Sequence, residues 1–117
     1  MMPRRALLGL ALVPAIPLSA AGHHGWGGYD PTSQLTLTGP IRRVAFDNPH
    51  ATLWLQADGR TLEVVLAPPF RMVNRGLQAS QLKVGETVTI MGYPHRTNTD
   101  EIRAEWIRIG AQTTQLR

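Results

Sequence analysis

The sequence predicts a mainly β domain: a small five-stranded barrel with one short helix between strands 3 and 4. Three observations lead to this fold class. Short runs of alternating apolar residues recur between residues 35 and 109, separated by turn residues. One segment between these runs has apolar residues at helical spacing. The chain has 117 residues, of which 43% are hydrophobic and 17% charged, which fits one folded domain with one small core.

The first predicted strand is long and bent. Its apolar residues have one parity up to Ile41 and the opposite parity from Val44 onward. A β-bulge near residues 42–43 would return both groups to the core face of the sheet. Pro40 has no amide hydrogen to donate, so we expect it at a sheet edge or at the bend.

The second and third predicted strands form a hairpin. They span residues 51–57 and 61–66, and Asp58-Gly59 between them is a strong signal for a tight turn. The residues of this hairpin expected to face the core are Leu53, Leu55, Ala57, Leu62, Val64 and Leu66.

A short helix is predicted after the hairpin. Phe70, Val73 and Leu77 are spaced by three and four residues, which is the spacing of one helix face. Gly76 is expected to stop or bend this helix, and Met72 is expected to pack in or near it.

Two more strands complete the domain. The fourth carries Val88 and Ile90 on its inner face, a polar loop covers residues 93–101, and the fifth strand spans residues 102–109 with an irregularity near Trp106-Ile107. This order of elements is that of an OB-type barrel. The ligands of such barrels characteristically bind on strands 2 and 3 and at the loops joining strands 1–2 and 4–5.

Residues 1–22 are predicted to be a secretory signal peptide. Arg4 and Arg5 precede an apolar stretch, and small residues follow it, which places cleavage near residues 20–22. The apolar stretch has thirteen residues, at 6–18, and is too short to cross a bilayer. We therefore expect a periplasmic or secreted protein without a membrane span after cleavage. The remaining chain is divided into a flexible segment at 23–34, the OB-like domain at 35–110 and a tail at 111–117.

Charge and cysteine content exclude several function classes. Arg4 and Arg5 are two of twelve basic residues, and without them ten basic residues face eight acidic ones, a net charge of +2. This balance argues against a nucleic-acid partner, which needs a dense cationic surface. The chain has no cysteine, so disulfides, thiolate metal sites and cysteine nucleophiles are excluded. No catalytic motif is evident, so the leading hypothesis is a non-enzymatic protein; redox chemistry at a mononuclear histidine site with an open position is the remaining enzymatic alternative.

The histidines are the candidate metal ligands. All four, His23, His24, His50 and His95, lie outside the predicted strands. His50 and His95 follow prolines in two loops that meet at one end of an OB-type barrel, and Asp30 or Asp47 could fix a tautomer. Imidazoles in this number favour copper, with nickel and zinc as less favoured metals. The alternative is that they are ordinary surface histidines.

The amino terminus could form a chelate by itself. Cleavage after residue 20 or 21 puts a histidine third in the mature chain, and its imidazole with the amine and two amides offers the planar nitrogen set that Cu(II) or Ni(II) favours. Cleavage after residue 22 makes His23 the first residue, whose amine and imidazole can chelate one copper ion. A flexible polar tether is the alternative interpretation.

Among the other side chains, one could add to a copper site and a group of aromatic residues indicates a different function. Met91 beside the fourth loop could offer a thioether to Cu(I). A group of aromatic residues lies off the predicted core face and could form a stacking surface for a ligand or an envelope protein, or could pack under the amino-terminal segment. These aromatic residues are Trp26, Tyr29, Trp54 and Tyr93.

Several short motifs resemble a family of small exported bacterial proteins of unknown function. The two most specific are the His-His-Gly-Trp start at residues 23–26 and the Asn-Pro-His turn at residues 48–50. Further matching pieces are Tyr29-Asp30, Leu37-Thr38-Gly39, Leu82-Lys83-Val84-Gly85 and Gly92-Tyr93-Pro94. The resemblance implies export and a small β domain. It implies no activity, and Pro40 departs from the β-branched residue usual in that family.

Overall fold

Six strands and one short α-helix make up residues 25–117, the part of the chain that the computed structural model describes. The strands are β1 (Leu35–Ala45), β2 (Thr52–Ala57), β3 (Arg60–Val65), β4 (Thr87–Pro94), β5 (Glu101–Ile109) and β6 (Gln112–Gln115). Helix α1 (Pro69–Asn74) lies between β3 and β4, and single 3-10 turns cover Trp26–Gly28 and Ala79–Gln81.

Five of the strands close into a barrel. The strand order is β3-β2-β1-β4-β5-β6, and a parallel pairing of β3 with β5 completes the ring. The long strand β1 makes this closure possible because its first half pairs with β4 and its second half with β2. The predicted five-stranded barrel, with its helix between β3 and β4, is confirmed.

The bend in β1 is also confirmed. The register with β2 shifts between Ile41 and Arg43, which is the expected bulge. Pro40 forms the last pair with β4, immediately before that shift, where its missing amide hydrogen is tolerated. Gly39 is required at the crossing, because a Cβ atom there would overlap the carbonyl oxygen of Gln56.

The core follows the predicted alternation in the hairpin. All six inward residues predicted in β2, β3 and the residue after β3 are buried, and both central residues of the Asp58-Gly59 turn have positive φ. The other large core side chains include Ile41, Met72, Leu77, Ile90, Ile102, Ile107 and Leu116.

The predicted apolar face of the helix is wrong. Phe70 and Val73 are 76% and 41% exposed, whereas Met72 is fully buried. Helix α1 has six residues and ends before Leu77, so the spacing of three and four never forms one continuous face. Leu77 reaches the core after the chain has turned at Gly76, whose φ is 91°.

The end of the chain contains a strand that the sequence analysis assigns to a tail. Strand β6 pairs with β5, and Leu116 just after it is buried. Arg71 of α1 donates from Nη1 to the carbonyl of Leu116 at 2.9 Å, which ties the helix to this segment. The predicted irregularity of β5 is present next to its expected position, since Trp106 pairs with Met91 but Ala104 pairs with Gly92.

The predicted signal peptide at 1–22 and the pair His23 and His24 lie outside the described residues. Between residues 25 and 117, no helix has the length and apolar character needed to cross a membrane.

Candidate functional site

The described chain begins by packing along the end of β4. Tyr29 forms an isolated β-bridge with His95, and the amide of Asp30 donates to the carbonyl of Pro94 at 2.9 Å. The amide of Arg96 donates to the carbonyl of Gly28 at 2.8 Å. Residues 25–30, assigned from sequence to a flexible segment, therefore contact the barrel through backbone hydrogen bonds.

This segment covers the outer face of β5. Ile102 and Ala104 are buried in the core, so Arg103 between them points to the opposite face of the strand. An arginine at such a position is ordinarily solvated, but Arg103 is only 6% exposed. The amino-terminal segment thus converts a surface arginine into a buried one.

Arg103 is the centre of the site. Its guanidinium lies 4.7 Å from the ring centroid of Trp26 and 6.0 Å from that of Tyr29. Its Nη1 donates to the carbonyl of Gly25 at 3.3 Å, and its Nε is buried without a hydrogen-bond partner among the described residues. Burial lowers the pKa of Arg103, because the charged form loses its hydration.

His50 contacts this arginine. The Asn48–Pro49 peptide bond before it is cis. The distance from His50 Nε2 to Arg103 Nη2 is 3.2 Å. Arginine has no acceptor, so Nε2 accepts the hydrogen bond, and a neutral His50 ring carries its proton on Nδ1. A metal ion could bind Nε2 only if the guanidinium gave way.

His95 is held at the same end of the barrel. Its backbone amide donates to the carbonyl of Glu101, two residues before Arg103. Its Nδ1 accepts hydrogen bonds from the amides of Thr97 and Asn98 at 3.2 and 3.0 Å. The proton of a neutral His95 ring is therefore on Nε2, the atom that faces Gly28.

The two barrel histidines contact the residues around Arg103 from two sides, and no described hydrogen bond joins the two rings. His50 contacts Arg103, and the ring of His95 packs edge-on against Tyr29 with centroids 5.1 Å apart. Arg103 and Tyr29 thus lie between them. No group of three or more His, Asp or Glu side chains within residues 25–117 is arranged to hold a metal ion. Metal binding by His50 and His95 stays a prediction.

Tyr29 connects the residues around Arg103 to an acidic residue, Glu101. Its hydroxyl donates to Oε2 of Glu101, whose Oε1 accepts from Asn98 Nδ2 at 3.1 Å. Burial of Tyr29, and then the hydrogen bond and negative charge of Glu101, raise the pKa of the tyrosine hydroxyl. Tyr29 therefore remains a neutral donor to a carboxylate at neutral pH.

The predicted group of aromatic residues divides into two places. Trp26 packs edge-on against Tyr29 and Tyr93, with ring centroids 6.4 and 6.1 Å apart, and Arg117 lies 4.4 Å from its ring. Trp54 instead lies under Arg43, whose guanidinium is 4.3 Å from the ring. We call the first group, Trp26, Tyr29, Tyr93, Arg103 and Arg117, the Arg103 cluster.

The other candidate residues lie outside this cluster. Asp30 accepts hydrogen bonds from Thr32 and Ser33, and the bonds from Thr32 hold the pKa of its carboxyl below the usual value. Asp47 is exposed in the turn before His50, Met91 is half-buried in β4, and Met72 is in the core. None of these four has a described hydrogen bond to a histidine ring.

Arg103 and its neighbour Glu101 are the functional candidates that sequence reasoning misses. Both alternate with apolar core residues, which is the pattern of solvated strand positions. The available signal is the pair Trp26 and Tyr29, two aromatics three residues apart among glycines, which need a surface to cover.

Comparison with known proteins gives one family. A model of a family of unknown function, DUF6152, matches residues 11–103. None of the curated proteins compared with the chain matches it.

Proposed function

The chain belongs to this family of unknown function, DUF6152, and from that premise we propose that it is an exported, non-enzymatic domain that binds or delivers a transition metal, with copper as the preferred ion. The ligands in this proposal are His23 and His24 with the mature amino terminus, His50, and more weakly His95.

One observation supports the shared site. The carbonyl of Gly25 and Nε2 of His50 both lie within 3.3 Å of the same guanidinium, that of Arg103. His24 directly precedes Gly25, and consecutive Cα atoms are about 3.8 Å apart. The described chain therefore begins, at Gly25, on the same guanidinium that contacts His50, which supports the proposal of a joint nitrogen site.

The guanidinium of Arg103 obstructs copper binding at His50. A cation 3.2 Å from Nε2 of His50 repels a second cation there, so copper binding must move the guanidinium or exchange the contact. His95 has the smaller role in the proposal because two backbone amides already occupy its Nδ1. Copper could bind its Nε2 only in the other tautomer, in which Nδ1 carries the proton and loses those two hydrogen bonds.

A competition titration tests the proposal. The mature chain is titrated with Cu(II) against a chelator of known affinity, and the wild type is compared with His50→Ala and His95→Ala. We expect His50→Ala, which removes a ligand, to weaken binding by about tenfold or more, since the loss of even an outer-shell partner of a ligand costs about that much. His95→Ala should have a smaller effect.

Two controls make this result decisive. Mass spectrometry of exported material gives the mature amino terminus, and replacement of both His23 and His24 removes the terminal imidazoles. Copper affinity that is micromolar or weaker and unchanged in His50→Ala and His95→Ala would remove the barrel histidines from the site. Material that retains residues 1–22 after export to the envelope would remove the cleaved-terminus geometry.

The second candidate is a ligand-binding or protein-interaction module that uses exposed aromatics. It is favoured by Trp54, a half-buried tryptophan on the outer face of β2 that is covered only by an exposed arginine, Arg43, among its described ring contacts. A protein or glycan that copurifies from the native envelope with metal-free protein, and that is lost with Trp54→Ala, would favour this candidate. If no protein or glycan copurifies and the wild type contains bound copper, the result would count against this candidate.

A further inference from the structure

The Arg103 cluster contains a buried charge whose counter-ion is not among the described residues. Within residues 25–117 the ion pairs are Arg60 with Asp100 and Arg117 with Glu105. Arg103 has two described hydrogen-bond partners, the Gly25 carbonyl and the His50 ring, and neither is acidic. Burying a charge is costly unless it is paired and hydrogen-bonded, so this arrangement is expected where a ligand completes the pairing.

The nearby carboxylates are already engaged. Glu101 accepts from Tyr29 and Asn98, and Glu105 pairs with Arg117 at 3.4 Å. Neither is within ion-pair distance of Arg103. One guanidinium charge is therefore left for one external negative charge, which matches a singly charged group better than a doubly charged phosphate, whose burial costs more.

The donors that remain fit a planar acceptor. A guanidinium presents five N–H groups in a rigid fork that matches the two oxygens of a carboxylate. In Arg103 the Nε is the atom without a partner, and the adjacent Nη groups make contacts of 3.2 and 3.3 Å, at the long end of hydrogen-bond distances. Trp26 lies over one face of the group and could flank a flat ligand.

We propose that Arg103 binds the carboxylate of a ligand through its Nε, with Trp26 lying beside the bound group. Because Nε is closed to solvent, the ligand enters as the Trp26 ring moves. The turn that carries this ring, Trp26–Gly28, has glycines at two of its three positions and no side-chain cap. The inference goes beyond the second candidate function, because it concerns Arg103 and Trp26 rather than Trp54, and it is independent of copper.

Arginine side-chain NMR tests the inference directly. Metal-free mature protein labelled with 15N-arginine is titrated with sodium acetate, and ionic strength is held constant with sodium chloride. We expect a saturable shift of the Arg103 Nε–H resonance together with the indole N–H of Trp26. The internal control is Arg43, which lies over Trp54 at 4.3 Å but is exposed, and whose resonance should change little. Equal responses of the two arginines would overturn the proposal.

Variants and a second ligand sharpen the test. Arg103→Lys keeps the charge but loses the fork, so we expect acetate to bind about tenfold or more weakly when followed at Trp26. The matched control Arg43→Lys should bind as the wild type does. If Arg103→Lys does not fold, the wild-type titration still decides the question.

Two small peptide ligands test which kind of molecule supplies the carboxylate. N-acetyl-Gly-Gly as the free acid should bind, and its carboxamide should not; equal binding of both would overturn carboxylate recognition. Tighter binding of the free acid than of acetate identifies a peptide end as the preferred source, and equal affinity identifies a small carboxylate. A failed acetate titration leaves the copurification test of the second candidate function intact, so the two failures are distinguishable.

Discussion

Two arginine–tryptophan pairs on the outer face of the barrel have similar contacts and different surroundings. Arg103 lies 4.7 Å from the ring of Trp26, and Arg43 lies 4.3 Å from the ring of Trp54. Arg103 is 6% exposed, with a buried Nε that lacks a partner, whereas Arg43 is exposed. Ring contact alone therefore does not mark a site. Because Arg103 is buried, its charge is not hydrated and needs another partner. The charge of Arg43 is exposed and is hydrated by solvent.

The largest expected difference between the two pairs is in stability. Arg103→Ala removes packing beneath Trp26 and the hydrogen bonds that Arg103 makes with the Gly25 carbonyl and the His50 ring. We expect it to lower the free energy of unfolding by about 2–4 kcal/mol. Arg43→Ala, at an exposed position, should change it by less than about 0.5 kcal/mol. Urea denaturation of both variants measures the difference.

A third variant separates packing from charge in this comparison. Arg103→Met keeps much of the side-chain volume and removes the buried charge, so it should recover part of the stability lost in Arg103→Ala. Equal losses in the alanine variants of Arg103 and Arg43 would mean that burial of Arg103 has no energetic consequence.

The next effect concerns pH at Tyr29, beside the buried pair. Its pKa is raised in the folded chain above the ordinary value near 10.0, so its contribution to stability is complete below that pH and is lost as the pH rises above it. Tyr29→Phe should cost about 1.5–3 kcal/mol at neutral pH, because it removes a hydrogen bond to a charged group. The variant should also lose part of the alkaline destabilisation.

The control for this prediction is Tyr93→Phe, in the same cluster but half-buried. Thermal melts between about pH 7 and 12 compare the three proteins. An alkaline loss of stability in Tyr29→Phe as steep as that of the wild type would contradict the assignment of the titration to Tyr29.

The smallest expected effect comes from Gly28, which packs against His95. A Cβ at this position would lie 3.3 Å from Nε2 of His95, so Gly28→Ala requires a small shift of the ring or of the turn. We expect a loss below about 1 kcal/mol in the free energy of unfolding. The accompanying change should be a shifted His95 Nε2 proton resonance, and an unchanged resonance would show that the segment does not contact the ring in solution.

Particular elements show how far sequence reasoning reaches. The parity change around Ile41 predicts the bulge in β1, because inner and outer residues of a strand alternate strictly. The same rule fails at Arg103, since it identifies the face but not what covers that face. It also fails for α1, where Phe70 and Val73 have helical spacing but the helix has only six residues.

The metal site stays a prediction, and the surroundings of its two barrel histidines were not predicted. Loop order predicts His50 and His95 at one end of the barrel, but it does not give their hydrogen-bond partners. His50 contacts Arg103, which is distant in sequence, whereas His95 accepts from the nearby backbone amides of Thr97 and Asn98. Strand β6 was treated as a tail because its four residues, Gln112–Gln115, lack an apolar alternation long enough to predict a strand.

By itself, the amino-acid sequence determined the five strands, the bend, the hairpin and the inner face of the barrel, because these depend on local geometry and on the periodicity of apolar residues. Only the tertiary structure decided that residues 25–30 return across β5 and exclude water from Arg103. Whether a charged side chain is solvated depends on which distant segment covers it, and strand alternation contains no information about that segment.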